Sequence, residues 1–118
     1  MACIYKKTDS GLRGNIGAEL AAVLEHFPGQ VLHFVPAMPR LNRITQNGVQ
    51  YINGQEVAAS VFGRDPFEPV KQSRVADIIA QQTSVPVTLD SFVEAVQQGL
   101  VVYDAATVSA LEKIARAL

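Results

Sequence analysis

The chain has 118 residues, 48% apolar and 18% charged, and ten basic against eleven acidic side chains leave a net charge of −1. That is enough for one domain with a real core, too little for two, and too apolar for a disordered tail. The balanced charge argues against nucleic-acid and membrane partners, no apolar run approaches the roughly 18 residues that span a bilayer, and a single Cys3 rules out a disulfide framework or a cysteine-built zinc site.

Residues 2–5 read as a short buried strand stopped by Lys6 and Lys7. In a secretory leader, charge precedes a long apolar stretch; here it follows a very short one, so a cytoplasmic location is expected. A loop over residues 8–15 leads into a helix over 16–26, with Ile16, Leu20, Val23, Leu24 and Phe27 near one face. Pro28-Gly29 ends it, and residues 31–35 form a second buried strand closed by Pro36 and Pro39. Strand, helix and strand in this order predict a βαβ unit and a parallel sheet.

The middle of the chain breaks that rhythm. Asn53-Gly54 between residues 49–52 and 55–57 is a hairpin signal of the type I′ kind. Residues 64–69 carry two prolines and read as a loop anchored by Phe67. A helix over 70–82 turns Val75, Ile78 and Ile79 inward, and residues 85–89 form a strand that Pro86 pushes toward a sheet margin. Ser91 and Glu94 are spaced as a capping box for a helix ending at Gly99. Residues 100–103 form another buried strand with Asp104 at its carboxyl end. A last amphipathic helix over 107–118 buries Leu111, Ile114 and Leu118. The expected fold class is α/β: an open, mainly parallel sheet flanked by helices with one inserted β-hairpin, part of a Rossmann-like substrate-binding domain. An apolar strand at the very start and an apolar helix face at the very end predict a single, incomplete domain over residues 1–118.

Three stretches could carry chemistry. The loop Lys6-Lys7-Thr8-Asp9-Ser10-Gly11-Leu12-Arg13-Gly14-Asn15 precedes a helix, and ligands of open α/β sheets bind beyond the carboxyl ends of strands, near helix N-termini. Arg13 offers a planar fork for a carboxylate or phosphate, Gly14 permits close backbone approach, and Asp9 and Ser10 can meet hydroxyl groups. An ordinary βα turn with solvated cations explains the same residues. Arg43-Ile44-Thr45-Gln46-Asn47-Gly48 is either a second wall of that site or a polar connection. Residues 65–69 and Asp104 read as structural, Asp104 as a cap for a turn. The glycines at 11, 14 and 17 do not have the dinucleotide spacing, and there is no Gly-Lys-Ser/Thr loop, so a nucleotide site is not expected. His26 and His33 have no ligand partners nearby in sequence, and Cys3 reads as buried and inert.

Lys6 through Glu19 resembles the K-x-D-S-T-L-R-G-N-x-G-x-E signature of the four-carbon acid sugar kinases. Later stretches are similar to the same family in the same order: Val35-Pro36-Ala37, Arg43-Ile44-Thr45 with Gly48-Val49-Gln50-Tyr51, Arg64-Asp65-Pro66 with Pro69-Val70, and Val102-Tyr103-Asp104-Ala105. Gly11 stands where the signature has threonine, and Leu41-Asn42 stand where small residues often precede the arginine. The resemblance implies two-domain kinases of tetronates such as erythronate and threonate, with an N-terminal sugar-acid domain and a C-terminal domain for ATP with magnesium. This chain is similar to the middle and later part of the N-terminal domain. The implied site is Lys7, Arg13, Gly14 and Asn15 for the carboxylate, Asp9 and Ser10 for hydroxyls, and Arg43 opposite. The resemblance further implies no cofactor within these residues, no turnover alone, and partners in the missing kinase segments or a second copy. A non-catalytic structural or small-molecule-binding remnant of a truncated gene is the alternative.

Overall fold

Leu100, Val101 and Val102 are each no more than 1% exposed, the pattern of a strand covered on both faces. The computed structural model describes residues 5–9, 11–89 and 99–118. In chain order these form α1 (Ile16–His26), β1 (Val31–Phe34), β2 (Arg43–Gln46), β3 (Val49–Ile52), β4 (Gln55–Glu56), α2 (Val75–Ala80), β5 (Val87–Leu89), β6 (Gly99–Val102) and α3 (Val108–Ala117). Two sheets result: a parallel one in the order β1-β6-β5 and an antiparallel one in the order β2-β3-β4. The mixed α/β class with a parallel sheet is as the sequence predicts.

The inserted element is larger than the single hairpin expected. Residues 43–46, read as a polar connection, are strand β2. Asn47-Gly48 joins β2 to β3 as Asn53-Gly54 joins β3 to β4, each pair with positive φ at both residues, the type I′ requirement. Backbone bonds from Thr45 to Ala105 and back, 3.0 and 2.9 Å, tie this sheet to the chain just beyond β6. Asp104 caps the same junction by accepting the Asn47 and Gly48 N–H groups at 2.7 and 2.9 Å.

The core lies between the layers. Ile16 and Leu20 of α1, Val75, Ile78 and Ile79 of α2, Phe34 of β1, Ile52 of β3 and Leu100 and Val102 of β6 form one buried cluster. Each such side chain contributes about 1.5–3 kcal/mol by leaving water. At Gly17 the α1 backbone meets α2 so closely that an added Cβ would lie 2.4 Å from the Ile79 carbonyl oxygen.

Five expectations are corrected. The helix expected over 70–82 is only α2, because the preceding backbone bonds elsewhere: Val70 N–H to the Phe62 carbonyl, Ser73 carbonyl to Gln50 N–H, and Val75 N–H to the Gly48 carbonyl. Phe67 does not anchor its loop; flanked by prolines on a projecting turn, it is 90% exposed. Leu118 sits beyond the last turn of α3 and is exposed, as is Phe27 beyond α1. Tyr5, beside the lysines, is exposed rather than buried. The rest of the first predicted strand, Cys3 and the helix read over 91–98 lie outside the described residues.

Candidate functional site

The short connection from α1 to β1 makes the helix run antiparallel to the strands, which puts its N-terminus toward their carboxyl ends. The preceding loop is built around Asp9. Its carbonyl accepts the Leu12 N–H at 2.9 Å, and its carboxylate accepts three donors of Arg13: the backbone N–H at 3.1 Å, Nε at 2.8 Å and Nη2 at 3.3 Å. Leu12 takes up a left-handed conformation, φ 60°, while its side chain is buried. That combination in a non-glycine residue is held only by its surroundings and is concentrated at ligand-binding segments.

Arg13 also reaches a second loop. Nη1 donates to Asp65 Oδ2 at 3.0 Å, while Asp65 Oδ1 accepts the Phe67 and Glu68 N–H groups at 2.9 Å each. The Arg13 hydrogen bond, opposed by partial burial, holds the Asp9 carboxyl below its usual 3.8. Asp65 is lowered first by the Glu68 and Phe67 N–H groups and then by Arg13. The guanidinium itself is pushed upward by Asp9 and Asp65. All three are therefore ionised at neutral pH, and three of the five guanidinium N–H groups are engaged by these carboxylates.

Phe62 joins the arginines. The Arg13 Cζ lies 4.9 Å from the Phe62 ring centroid and the Arg43 Cζ lies 5.1 Å from it, both in cation–π range. Of the sequence-predicted site residues, Asp9, Arg13 and Arg43 thus converge. Gly14 and Asn15 sit exposed at the start of α1, contacted by Gln82: its Nε2 donates to the Gly14 carbonyl at 3.4 Å and Asn15 Oδ1 at 3.3 Å. The Gln82 Oε1 accepts the Ala18 N–H at 3.1 Å. Lys7 is exposed on the same loop, and Ser10 lies outside the described residues. Glu19 pairs with Lys6 at 3.4 Å.

A groove of about 500 Å³ opens beside this cluster, its charged wall made by Arg13, Lys71 and Glu68 and its polar wall by Gly14, Gln81 and Gln82. Arg43 reaches Phe62 without lining it. A second cavity, about 250 Å³, lies at the amino ends of the strands among Leu24, Gly29, Val85, Pro86 and Gly99; Glu25 is the charged residue in its wall. Among the described residues its lining holds no cation, whereas the groove sets Arg13 and Lys71 against Glu68 and is the better match to an anion. Sequence reasoning missed Phe62, Asp65 and Gln82 because each joins the site across a long stretch of chain. The prolines around Asp65 signalled a fixed loop but not its partner.

A loop-built polar groove beside the N-terminus of α1, on a domain with a parallel sheet, is the kind of place where α/β domains take small molecules. A family model described as a sugar-binding N-terminal domain matches residues 1–118, and the chain belongs to that family, within the four-carbon acid sugar kinases. It is 36% identical over 96 residues to a D-threonate kinase of Salmonella typhimurium, covering 81% of this chain and 22% of that protein. It is 39% identical over 79 residues to a D-erythronate kinase of Heliobacterium modesticaldum, covering 66% and 18%. The chain thus spans about a fifth of these relatives. A solved Haemophilus influenzae protein shares the fold, with a TM-score of 0.82 at 21% identity over 94% of this chain and 32% of that one. A Bordetella bronchiseptica domain of unknown function, described as a domain-swapped dimer with bound citrate, matches with a TM-score of 0.77 at 28% identity over 96% and 30%. No helix among the described residues is long and apolar enough to cross a membrane.

Proposed function

We propose that this chain binds the sugar acid of a D-threonate or D-erythronate kinase, through the loop that carries Arg13 and the groove beside it. The convergence of Arg13 and Arg43 on one ring, next to a polar groove, carries the reading. Two guanidinium N–H groups of Arg13 remain for a carboxylate, and Gly14 lets backbone approach it closely. Asp9 orients Arg13, and Ser10, Gln81 and Gln82 offer partners for hydroxyl groups. Lys7 and Lys71 add positive charge at the rim. Kinases that act on small hydroxylated acids and the citrate found in a relative agree with this ligand chemistry. A cytoplasmic location belongs to the same reading.

In such a kinase the sugar-acid domain supplies positioning, which phosphoryl transfer needs more than covalent help. ATP with magnesium would supply the phosphoryl group and neutralise its charge. The glycine spacing at 11, 14 and 17 matches no phosphate loop, so the reading assigns that group to other segments of the kinase. Partners of this chain are then the segments that bind nucleotide or a second copy.

Calorimetry with the 118-residue chain tests the proposal. D-threonate or D-erythronate should bind, and erythritol, which keeps the hydroxyls and lacks the carboxylate, should not. Silence toward both acids, or equal binding of erythritol, overturns it.

A further inference from the structure

Two like charges do not gather around one side chain without compensation, and here Phe62 supplies part of it. With their guanidinium carbons 4.9 and 5.1 Å from a single centroid, Arg13 and Arg43 lie at most about 10 Å apart. Hydrogen bonds fix the Phe62 backbone, and packing fixes its ring. Ser60 Oγ accepts the Phe62 N–H at 3.2 Å, and the Phe62 carbonyl accepts the Val70 and Asp65 N–H groups at 3.0 and 3.4 Å. The side chain packs against the buried core cluster. On the remaining side is Gly11, where an added Cβ would fall 2.5 Å from the ring. The ring therefore occupies the space that any larger residue at position 11 would claim.

We propose that Phe62 is a positioning residue for the anion receptor: its ring braces Arg13 at the groove wall and holds Arg43 behind it as a second positive charge, and Gly11 is required because it admits that ring. The carbonyl of the same residue clamps both ends of the loop that brings Asp65 to Arg13, so ring and loop are set by one position. Part of this inference, that the receptor takes a sugar acid, rests on the function proposed above. The pairing of the arginines does not.

Side-chain NMR of the free chain and titration with D-threonate test the two parts separately. In the wild type, Arg13 and Arg43 should show ordered Nε–H signals and upfield-shifted Cδ protons from the ring current. Phe62→Leu should abolish the shift, loosen both guanidinium groups and weaken D-threonate about tenfold, the scale of losing two partly exposed cation–π contacts. Phe62→Tyr keeps the ring and should stay within about twofold of the wild type. Gly11→Thr should reproduce Phe62→Leu by displacing the ring, with the backbone spectrum away from the loop unchanged. Ordered arginines in a wild type that binds no tetronate would overturn the sugar-acid reading and leave the platform standing. Mobile arginines in the wild type would overturn the platform. So would Phe62→Leu retaining both side-chain order and affinity.

Discussion

The Arg13 guanidinium donates to the Asp65 carboxylate at 3.0 Å, joining two loops that lie 52 residues apart in the chain. Asp65 places a negative charge beside the cation proposed to receive a carboxylate. Asp9 and Phe62 also hold Arg13, so the fork should survive loss of that charge. Asp65→Asn keeps an amide oxygen for the Phe67 and Glu68 N–H groups and removes the competing anion. D-threonate affinity should rise a few-fold by calorimetry; a clear fall would show that Asp65 positions Arg13 and does not compete with the ligand.

Arg13→Ala should weaken D-threonate by tenfold or more on the scale of a lost charge-assisted fork, while Arg13→Lys should recover little, because a point charge cannot reproduce a planar fork that donates to both carboxylate oxygens. Binding that survives Arg13→Ala in a folded variant would return this loop to an ordinary turn.

Acid sensitivity follows from the carboxylates. Asp9 and Asp65 are held below their usual 3.8, so their contribution is fully present above that value and is lost as pH falls through the depressed range. The melting temperature should fall steeply below about pH 4, and Asp9→Asn combined with Asp65→Asn should flatten that fall. An unchanged acid limb in the double variant would contradict the charge network. His33 acts at higher pH. Burial lowers its pKa below 6.5, so the native state favours the neutral ring, which lies 2.8 Å from the Tyr103 hydroxyl. The unfolded chain then binds more protons, and stability should decline as pH falls below 6.5. His33→Gln should remove that decline in a melting series from pH 7.5 to 5, a range chosen to straddle the ordinary histidine value of about 6.5.

Gly17→Ala should cost about 1–3 kcal/mol in chemical denaturation, because the new methyl meets a backbone carbonyl rather than a movable side chain. A neutral result would mean that α1 and α2 separate freely.

What the sequence made legible was the layer whose signals are local. Leu100-Val101-Val102 reads as a buried strand from composition alone; the 31–34 segment beside it also reads as a strand, but only its Phe34 is buried. β2 was not legible as a strand because three of the four residues Arg43-Ile44-Thr45-Gln46 are polar; its one buried position, Thr45, donates to Gln50 Oε1 at 2.6 Å across the hairpin and pairs with the far-off Ala105. The same holds for the site. Arg13, Asp9 and Gly14 share one loop and announce themselves, and Arg43 was picked out by residue type. That Phe62 and Asp65 complete the arrangement is a property of tertiary packing. Phe67 shows the reverse failure: its apolar character suggested an anchor, and the proline-bounded turn projects it outward.

The most direct test of the account is a backbone amide titration of the uniformly labelled chain with D-threonate. Shifts should concentrate at Leu12, Arg13, Gly14 and Asn15, with secondary changes at Phe67 and Gln82. Shifts concentrated instead around Gly29, Val85 and Gly99, at the opposite end of the parallel sheet, would contradict it.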